Sequence, residues 1–436
     1  MSWLNEEIAA SWRREGKRYA TAINEYVRIG MESDWQQDQK EPDEDERSRL
    51  AADIVEMIRA ANQAGDIERL REEIPPASWP ITSEFHEEMQ AIRPVAFMKK
   101  GSVIVHAGSS RERGTLYLIQ QDDITELSEL HHVGCSSDGN YFALVNQQGI
   151  RIVREMDSNL EGEETAVFIW KDIQNSIKAS IPNLESLADE EHPEDILLEV
   201  IPFDDGKQLL LVCYYGIFIL GSGQIEMIYP DVSELMQYDC EDSFIDMAHG
   251  AVSPDGRWIA YGSQGSEHLL KDLSDGAVYE FAPESSYPHY AFFSYDSLEV
   301  WYNACHFYNG STIRVPVTAV EQNTSEIIEE WPCMNDEMRV YSAAVLKNGH
   351  ILGDAYGYLR YIDRDGQEVW RYYVGSTISG MTVTPNEEKL AVGTYAGMLH
   401  LIDLNGGCKS EYSIGTADIL ETSRWILWQN QNPLQW

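Results

Sequence analysis

From residue 91 onward a short β-type pattern recurs seven times, whereas the first seventy-odd residues carry a helical period. Together these predict a mainly β fold, a seven-bladed β-propeller with eight blades as the alternative, behind a short N-terminal α-helical segment. The predicted boundaries are 1–78 for the helical segment and 79–436 for the propeller.

The helical segment is read from Trp3, Leu4, Ile8, Trp12, Tyr19, Ile23, Tyr26 and Val27, spaced mostly by three, four or seven. An acidic linker, Glu41-Pro42-Asp43-Glu44-Asp45-Glu46, separates this from a second pattern through Leu50, Ile54, Ile58 and Ala61, then Ile67 and Leu70. Pro75-Pro76 ends it, because proline lacks an amide hydrogen and disfavours helix in the residue before it. Trp3, Trp12, Tyr19 and Tyr26 form a stripe too apolar to leave in water, so these helices are expected to dock on the propeller.

The clearest repeat runs from Gly250 through Ser253-Pro254-Asp255-Gly256 and Ile259-Ala260-Tyr261-Gly262, and closes with Leu270-Lys271-Asp272-Leu273. Another runs from Met381 through Thr384-Pro385-Asn386-Glu387 and Leu390-Ala391-Val392-Gly393 to Leu401-Ile402-Asp403-Leu404. Weaker copies centre on Ser136-Ser137-Asp138-Gly139, Lys347-Asn348-Gly349, Asp204-Asp205-Gly206, Ser294-Tyr295-Asp296 and Lys99-Lys100-Gly101. Seven blades in this length leave about 49 residues each, slightly more than an unadorned blade needs. Insertions at 155–195, 231–245 and 321–338 absorb the excess. The tail, Ser423 to Trp428, reads as a strand that could pair with the first blade.

The Ser-Pro-Asp-Gly turn, the later glycine and the Leu-x-Asp-Leu ending resemble WD-repeat and related quinoprotein-like propellers over about four fifths of the chain. No Trp-Asp dipeptide closes a blade, which puts the buried polar network of WD repeats in question. The resemblance implies an architecture and no particular activity.

Charge narrows the function. Seventy-three acidic against 32 basic residues give a formal net charge of −41, and after residue 90 the balance is 52 to 21. With no cluster of five lysines or arginines, nucleic acid is a poor partner. Neither a membrane span nor a secretory signal is read, so the expected location is the cytoplasm. Six widely spaced cysteines without a Cys-x-x-Cys pair are expected to be reduced.

No serine-hydrolase elbow, zinc-protease helix, phosphate loop or dinucleotide fingerprint is present. Accordingly no catalytic residue, metal ligand set or cofactor is assigned. Setting the repeats in register places Pro94, His132, Glu199, His249, Tyr290, Ser342 and Gly380 where inner strands begin. Of these, His132, Glu199, His249 and Tyr290 could hold a small ligand at the channel mouth, or could simply bond to water. Asp363-Arg364-Asp365-Gly366 fits either the start of a calcium loop or a plain hairpin turn.

The acidic insertions combine carboxylates with apolar anchors, the mixture an interface needs. Their candidate partner-binding residues are Asp189, Glu190, Glu191, Glu194, Asp195, Tyr238, Asp239, Glu241 and Asp242. The sequence therefore favours a protein-binding propeller whose acidic surface captures a basic protein, in its sharpest form an immunity-type inhibitor of a toxin or enzyme. The alternatives are a scaffold of a multiprotein assembly, and an enzyme or small-ligand sensor using the channel mouth.

Overall fold

The computed structural model describes residues 2–82, 84–108, 114–181, 185–221, 223–233, 235, 244–322 and 331–436. They hold seven antiparallel sheets, six of four strands and one of five, each built from consecutive strands. This is the seven-bladed β-propeller that the repeat predicts. The inner strands of blades 1 to 7 are Ile92–Phe97, His132–Cys135, Leu197–Phe203, His249–Val252, Tyr287–Phe293, Val340–Leu346 and Ile378–Val383.

The repeated turn has a chemical basis. In blade 4 the Ser253 hydroxyl donates to Asp255 at 2.5 Å and accepts from the Trp258 amide at 2.9 Å. Ser136 with Asp138 and Tyr141, and Ser294 with Asp296 and Glu299, repeat that arrangement in blades 2 and 5. Gly139 and Gly256 supply the left-handed backbone the turn requires, at φ 73° and 72°. Asp363 accepts from the Asp365 and Gln367 amides, both at 2.9 Å, so Asp363-Arg364-Asp365-Gly366 is a hairpin turn whose first carboxylate satisfies its own backbone.

The chain divides into two compact units, Val95–His350 on one hand and Met1–Pro94 with Ile351–Trp436 on the other. In the first of these, the inner strands of blades 2 to 6 lie side by side. Blades 2 and 3 share a core of Val145, Ile150, Ile152, Leu209, Leu211 and Phe218. The helix Trp170–Ser180 lays Trp170, Ile173 and Ile177 onto that core. Blade 5 is stitched to the start of blade 6 by the fully buried Asn303. Its amide donates to Thr312 and to the Met338 carbonyl, and its carbonyl accepts from the Val340 amide at 3.0 Å.

In the other unit, α1 (Glu6–Glu32), α2 (Ala51–Ala64) and α3 (Ile67–Glu73) pack with the last blade. Asn5 caps α1 by accepting from the Glu7 and Ile8 amides. Trp12 of α1 lies 6.3 Å from Trp436, ring centre to ring centre, and each indole donates to a carbonyl, Pro75 or Ile74, in the stretch after α3. The tail strand Leu420–Ile426 does not pair with the first blade. It is the fourth strand of blade 7, with Trp425 opposite Leu399, because that blade's third strand has a free edge to cover.

The stretch read as an acidic linker contains a buried ion pair. Arg47 is 1% exposed, chelates Asp45 through Nε and Nη2, and stacks between Trp12 and Trp79 at 4.9 and 5.1 Å. Trp79 Nε1 donates to the same carboxylate. Breaking a buried pair leaves an uncompensated charge. Arg47→Leu should therefore destabilise this unit by about 3–5 kcal/mol, read as a lower urea midpoint, and an unchanged midpoint would contradict the pair's structural role.

Candidate partner-binding face

Each blade is an antiparallel meander, so the start of its inner strand and the turn between its second and third strands lie at the same end. Within Val95–His350 the described approaches to the inner strands at this end are acidic. The stretches 187–195, 244–248, 282–286 and 332–338, which lead into inner strands, carry Asp189, Glu190, Glu191, Asp246, Glu284, Asp336 and Glu337 without a lysine or arginine. The first-to-second-strand turns at the other end are mixed, with exposed Lys99, Lys100, Lys207, Arg257 and Lys347 beside exposed Asp138, Asp204, Asp205, Asp255 and Asp296.

Aromatic side chains stand among these carboxylates. In the blade 5 turn Phe307 is 77% exposed and Tyr308 is 57% exposed. His306 lies against Phe307 at 4.8 Å, and Tyr287 stacks on His306 at 6.3 Å. In the blade 3 turn Tyr214 stacks on the exposed Phe244 at 5.6 Å. Phe307 has φ of 56°, a conformation that suits glycine or asparagine and costs a bulky side chain energy.

The sequence-predicted acidic residues divide between several settings. Asp189 and Glu191 are exposed and Glu190 is half-buried. Lys178 of the helix Trp170–Ser180 pairs with Asp189, and Gln174 donates to the Glu190 carbonyl at 2.8 Å, so that helix fixes the loop. Glu194 is buried, and Asp195 meets His131 Nδ1 at 2.9 Å. Tyr238, Asp239, Glu241 and Asp242 lie outside the described residues.

The channel-mouth residues occupy the predicted inner-strand positions, and most of their polar atoms are engaged internally. Tyr290 accepts from the Ala343 amide at 3.0 Å, and burial pushes its phenol up to about 12. His249 faces the Met247 carbonyl at 2.9 Å through Nδ1, and burial takes its imidazole down to about 4. Glu199 is half-buried and acts electrostatically on Tyr290. His132 lies 6.1 Å from His106, ring centre to ring centre. Among the described residues, His132, Glu199 and His249 do not form a group with ligand atoms within 4.8 Å of one another; His131, Glu194 and Asp195 do.

Other histidines whose protonation the fold shifts escaped the sequence reading, among them His268 and His289. His268 stacks on Tyr302 at 4.6 Å and burial takes it down to about 3; burial, with Arg339 beside it, lowers His289 strongly. Both are neutral in the folded protein. Burial likewise pushes the Cys135 and Cys213 thiols up to about 12, as expected of unreactive cysteines.

In the other unit, a cavity of about 360 Å³ is lined by Arg71, Trp79, Tyr372, Tyr412, Glu421 and Arg424. Burial would raise the Glu421 carboxyl, but Arg424 at 2.8 Å and His400 at 3.0 Å hold it well below the usual range. His400 is itself kept neutral by burial. Arg360 is similarly clasped between Asp354 and Glu368, at 3.1 and 3.2 Å, in blade 6. Blades without a Trp-Asp dipeptide thus carry buried charge networks of their own.

No protein-family model matches the chain, and no curated protein matches it. No helix among the described residues is long and apolar enough to cross a membrane.

The buried histidines set a pH dependence. A histidine whose folded pKa lies below the free-chain value of about 6.5 supports stability above that value and loses it as pH falls, because the unfolded chain takes up the proton first. His268 alone should cost about 1.5 kcal/mol between pH 8 and pH 5.5. Urea melts of wild type and His268→Gln check this: the stability gap between them should narrow on acidification, and a gap independent of pH would refute it.

Proposed function

We propose that the protein is a binding module that captures a basic protein on the acidic, aromatic-bearing end of Val95–His350. The observation that carries this reading is Phe307, a large apolar residue placed almost fully in water at positive φ. Folding gains nothing from it there. An exposed aromatic anchor at the same end as acidic stretches is what a partner with a basic, partly apolar surface would recognise. The acidic stretches that lead into the inner strands support the same reading, because their field favours an approaching positive charge.

An inhibitor of a basic, toxin-like or nucleic-acid-processing enzyme is the sharper form of this reading, since a strong negative field speeds capture before damage is done. A cytoplasmic scaffold that holds a basic component is the broader form.

Affinity capture of the full chain from its native cells, at low and at high salt, tests the reading. A stoichiometric basic partner should be retained at low salt and released as salt rises; a partner that is not basic, or no partner at either salt, would overturn it. Phe307→Gly relieves the backbone strain while removing the anchor. It should leave thermal stability unchanged or slightly raised and weaken partner binding about thirtyfold, and full retention by this variant would show that the turn is not the anchor.

A further inference from the structure

A second site lies on the same compact unit, where blades 2 and 3 adjoin. His131 immediately precedes the inner strand of blade 2, and Glu194 and Asp195 belong to the short turn Pro193–Asp195 that precedes the inner strand of blade 3. These strands are neighbours, so the two approaches converge. One ligand atom from each of the three residues lies within 4.8 Å of the other two. His192 adds a second imidazole, its Nδ1 3.4 Å from Glu194 Oε1.

The charge balance of this cluster points to a cation. The Glu194 side chain is 3% exposed, and that of His131 is 4% exposed. A buried carboxylate needs a paired cation, a metal or a proton. Among the described residues no lysine or arginine pairs with Glu194 or Asp195; their ion-pair partners are His192 and His131, which are cations only when protonated. Two adjacent carboxylates thus converge on an imidazole, with Glu194 and His131 buried and the Asp195 side chain 32% exposed. The helix Trp170–Ser180 holds that loop in place through Gln174 and Lys178, so the donors are presented by a braced segment.

From this convergence of His131, Glu194 and Asp195 we infer that the protein binds one divalent transition-metal ion, of the zinc class, between blades 2 and 3. Imidazole nitrogen with carboxylate oxygen is a donor set that suits zinc and its first-row neighbours better than calcium, which takes six or more oxygens. Tetrahedral ligands about 2.1 Å from zinc lie about 3.4 Å apart, so closing the present spread requires side-chain rotation rather than backbone movement. His192 is the nearest fourth donor. The bound ion would lock the acidic loop to blade 2, whether or not a protein partner binds the same end.

The test uses the tag-free full chain, stripped with chelator and titrated with ZnCl₂ by calorimetry, with metal content measured after desalting. Wild type should retain one zinc per chain and melt at a higher temperature with zinc than without. Asp195→Asn and Glu194→Gln, which keep the side-chain shapes, should each weaken zinc binding at least about tenfold, whereas the exposed neighbour Glu191→Gln should bind as wild type does. If Glu194→Gln does not fold, Asp195→Asn decides. Retention of less than one zinc by wild type, or unchanged affinity in the folded variants, would overturn the inference and leave protonation of His131 as the compensating charge.

Discussion

Neighbouring inner strands in this propeller approach until backbone meets backbone, and much of the molecule is arranged around that contact. A methyl group on Gly134 would stand 1.5 Å from the Val200 carbonyl oxygen on the next inner strand, and one on Gly393, in the second strand of blade 7, would stand 1.6 Å from that of Ile92. No side chain fits in either place. With the strands that close, the residues at their starting ends are covered by neighbouring blades. Tyr290 and His249 therefore turn their polar atoms inward, and their protonation is set by burial rather than by solvent.

What the sequence made legible follows the same logic. The Ser-x-Asp-Gly turns could be read because their hydroxyl, carboxylate and glycine each perform a local task that needs no tertiary context. The helical stripe could be read from period alone. Other features depend on what lies far along the chain. Asp45 looked like one acid of a linker, and only the fold pairs it with Arg47 and brings Trp12 and Trp79 to the two faces of that guanidinium. Glu194 looked like one acid in a surface run, yet the start of blade 3 buries it. The register argument selected His132, the first residue of its strand, while the adjacent His131 is the one that meets Asp195, since consecutive residues point opposite ways. Phe307 did leave a signal. A phenylalanine between two β-runs, where glycine or asparagine is usual, is a local conflict of the kind functional sites produce.

The two surfaces share a physical theme, which is an excess of negative charge. Inside the protein, carboxylates are matched: Glu421 by Arg424, Asp354 by Arg360, Asp45 by Arg47. The stretches that lead into inner strands carry carboxylates and no lysine or arginine of their own, although Lys178 reaches Asp189 from the neighbouring helix. Such an excess costs stability through self-repulsion and is compatible with a role in which a cationic surface completes the balance.

Hydrogen exchange of the full chain, alone and with its captured partner, tests this account most directly. The account predicts new protection at the blade 3 and blade 5 turns around Tyr214 and Phe307 and in the acidic stretches beside them, with the turns at Lys207 and Lys347 at the other end exchanging as before. Protection confined to those far-end turns, or to the outer strands of the blades, would contradict it.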